Sequence, residues 1–186
     1  GGFVITDDKI PEFTKIKNIS LKKELKLFTF KNKYFQIVSH NYKNEAQILK
    51  IKHKNLIHEI TVNLVGKIQL KNIVMAVIAA LKSNLDLKKI FSVIPRLSPV
   101  EGRFEKVGKI KNKSLVFLDY AHTPDALQTC ILNIREQFSD KHISVLFGCG
   151  GDRDKGKRSK MGKIADNYAD KIYLTDDNPR HERPKK

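Results

Sequence analysis

The sequence predicts an α/β fold in two parts, and two patterns support this prediction. In residues 1–98, short apolar runs of strand length are followed by segments whose apolar residues recur at helical spacing. In residues 99–186, single strands alternate with helices instead. The chain has 186 residues, of which 40% are hydrophobic, and this is enough to build packed cores.

The first part begins with the apolar run FVIT, which we expect to be a strand. Residues 22–64 then predict a sheet meander, because the runs LKLFTF, YFQIV, AQILKIKH and LIHEITVNL are separated by polar turns. Helical spacing of apolar residues predicts a largely buried helix over 72–81. A second helix is expected over 87–94, with Asp86 as its N-cap and Pro95 at its end. Residues 96–103, RLSPVEGR, are the expected linker.

The second part predicts a parallel sheet. Buried strands are expected at 115–118, 143–147 and 171–175, with helices between them. Thr123 is the expected N-cap of the first of these helices, and Pro124 suits its first position because proline lacks the N–H that would have no partner there. The second helix is expected over 160–168. A β-α-β-α-β order of this kind implies right-handed parallel crossovers.

Three polar loops follow the carboxyl ends of these strands. They are DYAHTPD at 119–125, GCGGDRDKGKR at 148–158 and DDNPR at 176–180. In an open parallel sheet, ligands bind in the crevice outside the carboxyl ends of the strands. We therefore expect the three loops to lie side by side and to form the binding site.

Charge, hydropathy and cysteine content bear on whether the protein binds nucleic acid, enters a membrane or uses its cysteines for metal binding. The formal net charge is +16, and residues 1–98 carry 18 basic and 7 acidic side chains while residues 99–186 carry 18 and 13. These lysines are scattered and no nucleic-acid motif accompanies them, so a solvated basic surface is favoured over a nucleic-acid site. No apolar run of about eighteen residues and no signal peptide is visible. Cys130 and Cys149 lack metal-ligand spacing and are expected to be reduced thiols of a cytoplasmic protein.

One segment partly matches the motif of a phosphate-binding loop. Residues 151–157 read G-x-x-x-x-G-K, but the next residue is Arg158, where the pattern requires the Ser or Thr hydroxyl that ligates Mg²⁺. The match fails at the metal ligand, so the pattern alone leaves open whether this loop binds phosphate.

Four segments together resemble one family. GRFE, DYAHTPDAL, FGCGGDRDKGKRSKMG and TDDNPR, in this order and spacing, are similar to the C-terminal domain of the Mur ligases, and most of all to members that add meso-diaminopimelate. Upstream, VITDD and GKIQLKNIVMAVIAAL resemble the late part of the family's central ATPase domain. The resemblance implies that residues 1–98 end the central ATP-binding domain. It also implies that residues 99–186 are an incomplete Rossmann-like C-terminal domain.

The resemblance implies an ATP-dependent ligase of peptidoglycan synthesis. Such an enzyme phosphorylates the terminal carboxylate of UDP-MurNAc-L-Ala-D-Glu, and the amine of meso-diaminopimelate then attacks the acyl phosphate. The family's phosphate loop and its Mg²⁺ ligands lie upstream of the segment present here, so no metal ligand is expected in it. We expect a fragment of a longer, monomeric protein that is inactive alone, lies in the cytoplasm and binds neither nucleic acid nor membrane.

Amino-acid binding is implied for Arg153, Asn178 and Arg180. Meso-diaminopimelate carries a second carboxylate where lysine has none, and a guanidinium matches a carboxylate through two parallel hydrogen bonds. A lysine-adding enzyme would gain nothing from a cation at Arg180. Taken alone, however, residues 177–179 are also typical of a turn, and Arg153 alone is typical of a solvated side chain.

Nucleotide binding is implied for Gln69, Asn72, Arg103, Asp119 and His122. The two amides suit the edge of a base, the guanidinium suits phosphate, and the carboxylate suits ribose hydroxyls. Relatives often have Asn at the position of Gln69. Asp119 alone could equally cap a turn.

Two other interpretations stay open at this point. One is a Mur-like ligase of different specificity, either lysine-adding or similar to folylpolyglutamate synthetase. The other, more remote, is a basic nucleic-acid-binding module, which would lose affinity steeply with added salt.

Overall fold

A computed structural model of the protein describes residues 1–32 and 34–183. The chain divides into two compact units, Gly1–Ser98 and the residues from Pro99 onward. Each unit has its own cluster of buried apolar side chains. The fold is α/β and contains both parallel and antiparallel strand pairs.

The first unit begins with a parallel strand pair. Strands β1 (Phe3–Thr6) and β2 (Lys26–Thr29) pair in parallel, and helix α1 (Phe13–Lys22) connects them. Helix α1 is not predicted by the sequence pattern, which assigns the run LKLFTF to the meander. That placement was wrong because the spacing of apolar residues identifies a strand but not its partner.

A three-stranded antiparallel sheet follows, in the order β3–β4–β5. Its strands are Gln36–Lys43, Ala46–His53 and Leu56–Val62. The inward face of β4 and β5 packs against helix α2 (Lys67–Lys82), which starts five residues before the predicted 72. The buried Gln47 amide donates to the carbonyl oxygens of Leu64 and Gly66, at 2.6 and 3.2 Å, and so fixes the chain at the start of α2.

Two short helical segments complete the first unit. The predicted cap is confirmed, since Asp86 accepts the Lys89 N–H at 3.1 Å at the start of helix α3 (Leu87–Val93). A 3₁₀ turn (Ile94–Arg96) then carries Pro95 at its second position, so α3 ends one residue before the predicted 94.

The second unit combines an antiparallel hairpin with a parallel pair. Strands β6 (Glu105–Lys109) and β7 (Leu115–Leu118) are antiparallel, and β6 was not predicted. Strands β8 (Ser144–Phe147) and β9 (Lys171–Leu174) are parallel, as expected. Within the described part of the chain these pairs form two separate sheets, so the predicted continuous ladder from β7 to β9 is only partly present.

Helices α4 (Pro124–Gln137) and α5 (Gly156–Tyr168) pack together around a small core. The predicted cap of α4 is confirmed, because the Thr123 hydroxyl accepts the Ala126 N–H at 3.3 Å. Helix α5 begins four residues before the predicted 160. Leu127, Ile131 and Met161 are buried between the two helices and β8. None of the described helices is long and apolar enough to cross a membrane.

Candidate functional site

The glycine loop, residues 148–158, and the DNPR loop, residues 176–180, are directly joined in the second unit. Gly150 and Asp177 form a parallel bridge that extends the pairing of β8 and β9. The Gly151 N–H then donates to the Asn178 carbonyl oxygen at 3.1 Å. The prediction that these two loops lie side by side is confirmed.

Two glycines make this close approach feasible. A Cβ atom at Gly148 would lie 2.4 Å from the Thr175 carbonyl oxygen, and one at Gly151 would lie 1.9 Å from the Pro179 carbonyl oxygen. Both distances are far inside van der Waals contact and both partners are backbone. Glycine is therefore required at these positions so that the loops can pack together.

This packing explains why the G-x-x-x-x-G-K segment at 151–157 does not form a phosphate-binding loop. In a phosphate loop the glycines let the backbone approach the ligand, whereas here the Pro179 backbone occupies the space beside Gly151. The lysine of the pattern is also engaged, because Lys157 Nζ donates to the His122 carbonyl oxygen at 2.8 Å. The same bond places the third loop, 119–125, against the start of α5, so the glycine loop contacts each of the other two predicted loops.

Arg153 and Arg180 converge on Gly150. The position of a Cβ built on Gly150 lies 3.0 Å from Arg180 Nη1 and 3.8 Å from Arg153 Cγ. Arg180 also donates to the Gly151 carbonyl oxygen, which uses one of the guanidinium's five donors. Among the described residues, Arg153 makes no hydrogen bond and no ion pair.

The DNPR loop holds this geometry in an uncommon backbone conformation. Asn178 and Arg180 have φ angles of 39° and 51°, in the left-handed region. Asn178 contributes its backbone carbonyl to the loop pairing, and its side chain is exposed. The residues expected to bind the amino acid are thus brought together by the structure, and their role stays a prediction.

Two of the residues expected to bind the nucleotide in the second unit, Arg103 and His122, form an exposed row with Tyr120. The Arg103 guanidinium lies 5.1 Å from the centre of the Tyr120 ring, and that ring lies 5.0 Å from the His122 ring. His122 Nδ1 is 3.0 Å from the Tyr120 carbonyl oxygen. Tyr120, which the sequence analysis did not select, is the central member of this row.

Asp119 has a structural contact of its own. Its Oδ2 accepts the Phe104 N–H at 2.9 Å and so links the end of β7 to the turn that carries Arg103. Phe104 has a φ angle of 47°, so the carboxylate stabilises a strained turn. This is the turn-capping role that the sequence left open for Asp119. A carboxylate oxygen accepts more than one hydrogen bond, so a hydroxyl ligand can still be bound.

Gln69 and Asn72 lie together in the first unit. The Asn72 side-chain amide donates to Gln69 Oε1 at 3.3 Å. Both residues line a cleft of about 410 Å³ between α2, α3 and the 3₁₀ turn. The other walls are almost entirely apolar and include Ile73, Val77 and Ile94. A flat apolar ring with a polar edge would fit such a cleft.

The cysteines and acidic residues do not form a further reactive centre. Burial, with a smaller effect of Asp119, raises the pKa of the Cys130 thiol to about 12, so this thiol is inert at neutral pH. Both Cys130 and Cys149 are free thiols. No group of three or more His, Cys, Asp or Glu side chains in residues 1–32 and 34–183 could hold a metal ion.

Glu182 is a second residue that the sequence analysis missed. It lies just beyond the DNPR motif, and its carboxylate accepts the Asp152 N–H at 2.9 Å and pairs with Arg158 at 2.7 Å. The Asp152 N–H and the Arg158 guanidinium lower the pKa of this carboxyl group. No motif marks this residue in the sequence, because its role depends on the pairing of the two loops.

The second unit combines α/β elements with two loops joined beyond the carboxyl ends of β8 and β9. Residues 102–186 match the family described as Mur ligase, glutamate ligase domain. The chain belongs to the Mur ligase family.

Its curated relatives include UDP-N-acetylmuramoyl-L-alanyl-D-glutamate–2,6-diaminopimelate ligases. The one from Rickettsia felis is 35% identical over 187 residues, which cover 100% of this chain and 34% of that protein. The one from Rhizobium meliloti is 46% identical over 128 residues, covering 69% of this chain and 26% of that protein. The chain therefore spans about a third or less of the length of these relatives.

Solved structures show the same fold. A structure of UDP-N-acetylmuramoyl-L-alanyl-D-glutamate–2,6-diaminopimelate ligase matches with a TM-score of 0.64 and 28% identity, covering 98% of this chain and 38% of that one. The FPGS–AMPPCP–folate complex matches with a TM-score of 0.73 and 19% identity, covering 92% and 42%. MurC from Thermotoga maritima matches with a TM-score of 0.68 and 18% identity, covering 94% and 37%. The last two likenesses concern the fold alone.

Proposed function

We propose that the full-length protein is an ATP-dependent ligase that joins meso-diaminopimelate to UDP-MurNAc-L-Ala-D-Glu in peptidoglycan synthesis. The observation that carries this proposal is the convergence of Arg153 and Arg180 on Gly150 at the joined loops. The names of the relatives support the same substrates. We also propose that the enzyme acts in the cytoplasm as a monomer, without nucleic acid or membrane.

The reaction needs two transfers. The terminal carboxylate of the UDP-linked substrate attacks the γ-phosphorus of ATP, which releases ADP and leaves an acyl phosphate. The diaminopimelate amine then attacks the acyl carbon, phosphate leaves with the bonding electron pair, and the amine loses a proton. The residues of this chain bind and orient the substrates, because a fixed near-attack geometry removes much of the entropic barrier.

The amino-acid substrate fits the paired loops by charge. Its far end carries a carboxylate and an ammonium group. The Arg180 guanidinium beside Gly150 supplies one cation for the carboxylate, and Arg153, whose side-chain stem also lies beside Gly150, supplies a second. Asn178 adds an exposed amide that can accept from the ammonium or donate to the carboxylate. Lysine has no carboxylate at this end, so the same loops would bind it less tightly.

The nucleotide has two sets of proposed contacts. In the second unit, Arg103 and His122 present a cation and an imidazole beside the exposed Tyr120 ring, and the half-buried Asp119 carboxylate accepts the Phe104 N–H next to Arg103. In the first unit, the amides of Gln69 and Asn72 stand at an apolar cleft suited to a purine base. ATP in such enzymes is used with Mg²⁺, which neutralises phosphate charge. The described residues contain no group of three or more His, Cys, Asp or Glu side chains that could hold this ion.

The test is ligation by the full-length protein with meso-diaminopimelate or with lysine. We expect ADP release that depends on diaminopimelate and is far slower with lysine. The variant Arg180→Ala should lower kcat/KM for diaminopimelate by about 10- to 100-fold, since hydrogen bonds to charged groups contribute about 1.5–3 kcal/mol.

The matched control for this test is Arg183→Ala. Arg183 is an exposed arginine that makes no hydrogen bond or ion pair among the described residues. Its removal should leave kcat/KM unchanged. Equal use of lysine and diaminopimelate, or unchanged kinetics in Arg180→Ala, would contradict the proposed specificity.

A further inference from the structure

The Glu182 carboxylate connects three parts of the second unit. Its Oε1 accepts the Asp152 N–H at 2.9 Å and lies 3.7 Å from Lys155 Nζ. Its Oε2 lies 2.7 Å from Arg158 Nη2. These contacts fall on the glycine loop and on the first turn of α5. One side chain therefore ties the residue after Gly151 and the start of the helix to the segment that follows the DNPR loop.

Asp152 and the segment that follows the DNPR loop are joined by hydrogen bonds in both directions. Asp152 Oδ2 accepts the His181 N–H at 3.3 Å and lies 2.8 Å from His181 Nδ1, while Asp152 gives its own N–H to Glu182. The Glu182 N–H donates to the Pro179 carbonyl oxygen at 3.0 Å, which closes a turn directly after the DNPR loop. Asp152 has a φ angle of 51°, so its strained backbone is held in place from both sides.

The cations of the glycine loop differ in whether they already have a partner. Arg158 and Lys155 are paired with Glu182, and Lys157 donates to a backbone carbonyl. Arg153 has no partner among the described residues. Since paired cations attract an incoming anion less strongly, Arg153 is the loop cation left for a carboxylate ligand.

We propose that Glu182 is a positioning residue that holds the glycine loop against the DNPR loop and thereby fixes Arg153 relative to Arg180 for the amino-acid substrate. This inference rests on the proposed function for its choice of substrate. Glu182 acts through Asp152 and Arg158 and does not itself contact the amino acid.

The test uses Glu182→Ala and Glu182→Gln in the full-length protein, with Asp166→Asn as the matched control. Asp166 is an exposed carboxylate on α5 that makes no hydrogen bond or ion pair among the described residues. The first readout is hydrogen exchange of the Asp152 amide. Exchange should be at least tenfold faster in Glu182→Ala than in the wild type and in Asp166→Asn. Glu182→Gln keeps an acceptor for this amide but loses the ion pairs. The exchange rate of the Asp152 amide in this variant should therefore lie between those of the wild type and Glu182→Ala.

The second readout separates positioning from general damage to the fold. KM for diaminopimelate should rise at least tenfold in Glu182→Ala, while KM for ATP and kcat change less than twofold. Unchanged hydrogen exchange of the Asp152 amide would show that Glu182 does not hold the glycine loop against the DNPR loop. An equal rise in KM for diaminopimelate and KM for ATP would overturn the positioning role. A wild-type protein that ligates no diaminopimelate would overturn the proposed function and the positioning role that rests on it. In that case, hydrogen exchange of the Asp152 amide would still show whether Glu182 holds the glycine loop against the DNPR loop.

Discussion

Replacing Gly151 by alanine tests the pairing of the two loops most sharply. The new Cβ would lie 1.9 Å from the Pro179 carbonyl oxygen and 2.6 Å from the carbonyl carbon. An ordinary contact begins near 3.4 Å, so the two backbones must separate by about 1.5 Å. No rotation of a side chain can relieve this clash, because the obstructing atoms belong to the main chain.

The cost follows from the bonds that this separation breaks. The Gly151 N–H donates to Asn178 at 3.1 Å, and the Gly151 carbonyl accepts from Arg180. Neither bond survives a movement of 1.5 Å, and two hydrogen bonds contribute about 1–3 kcal/mol together. We expect the free energy of unfolding of the second unit to fall by this amount, or the paired loops to open locally at the same cost.

Denaturant unfolding and hydrogen exchange of residues 148–152 and 175–180 distinguish these two responses. The control is Gly162→Ala. Gly162 lies within α5 with nothing within 4 Å of its Cβ position, so alanine there should stabilise by about 0.5–1 kcal/mol. A Gly151→Ala protein with unchanged stability and unchanged exchange in both loops would refute the packing argument.

Three further predictions concern the cores and the titrating groups. Gln47→Leu removes the donor from two buried carbonyl groups and should cost about 2–4 kcal/mol by denaturant unfolding, whereas Gln36→Leu at an exposed strand position should change stability little. Asp170→Asn should destabilise the protein at pH 7, because the Ile143 N–H and Arg135 lower the pKa of Asp170 and so stabilise the folded state above that pKa. The difference should shrink as the pH falls from the ordinary Asp pKa of 3.8 through the lowered pKa, and a difference independent of pH would contradict this. At pH 8, Cys130 should react slowly with a thiol reagent in native protein and rapidly after denaturation, since burial raises its pKa to about 12; fast reaction in the native state would show that the thiol is accessible and ionised.

Local signals predicted the elements with strong caps or strong apolar periodicity. The Asp86 and Thr123 caps and the parallel strands β8 and β9 are present because each is encoded by neighbouring residues. Strand β6 was missed since EKVGK has one large apolar residue, and its structure depends on pairing with β7. Helix α1 was missed for a similar reason, because six of its ten residues are polar or charged and only one is buried.

The loops of the candidate site were predicted more completely than their internal contacts. Position after a parallel strand is enough to bring loops 148–158 and 176–180 to one edge. The contact between Glu182 and Asp152, by contrast, joins residues 30 apart through a backbone bend of positive φ. No periodicity or motif encodes such a contact, and only the folded backbone shows it.

The proposed function depends most directly on whether the paired loops bind the far carboxylate of meso-diaminopimelate. A crystal structure of the full-length protein with this amino acid bound tests the claim directly. We expect the far carboxylate to lie within about 2.7–3.1 Å of a guanidinium nitrogen of Arg180, with Arg153 on the opposite side. Diaminopimelate bound elsewhere, or with that carboxylate facing solvent while both arginines stay unoccupied, would contradict it.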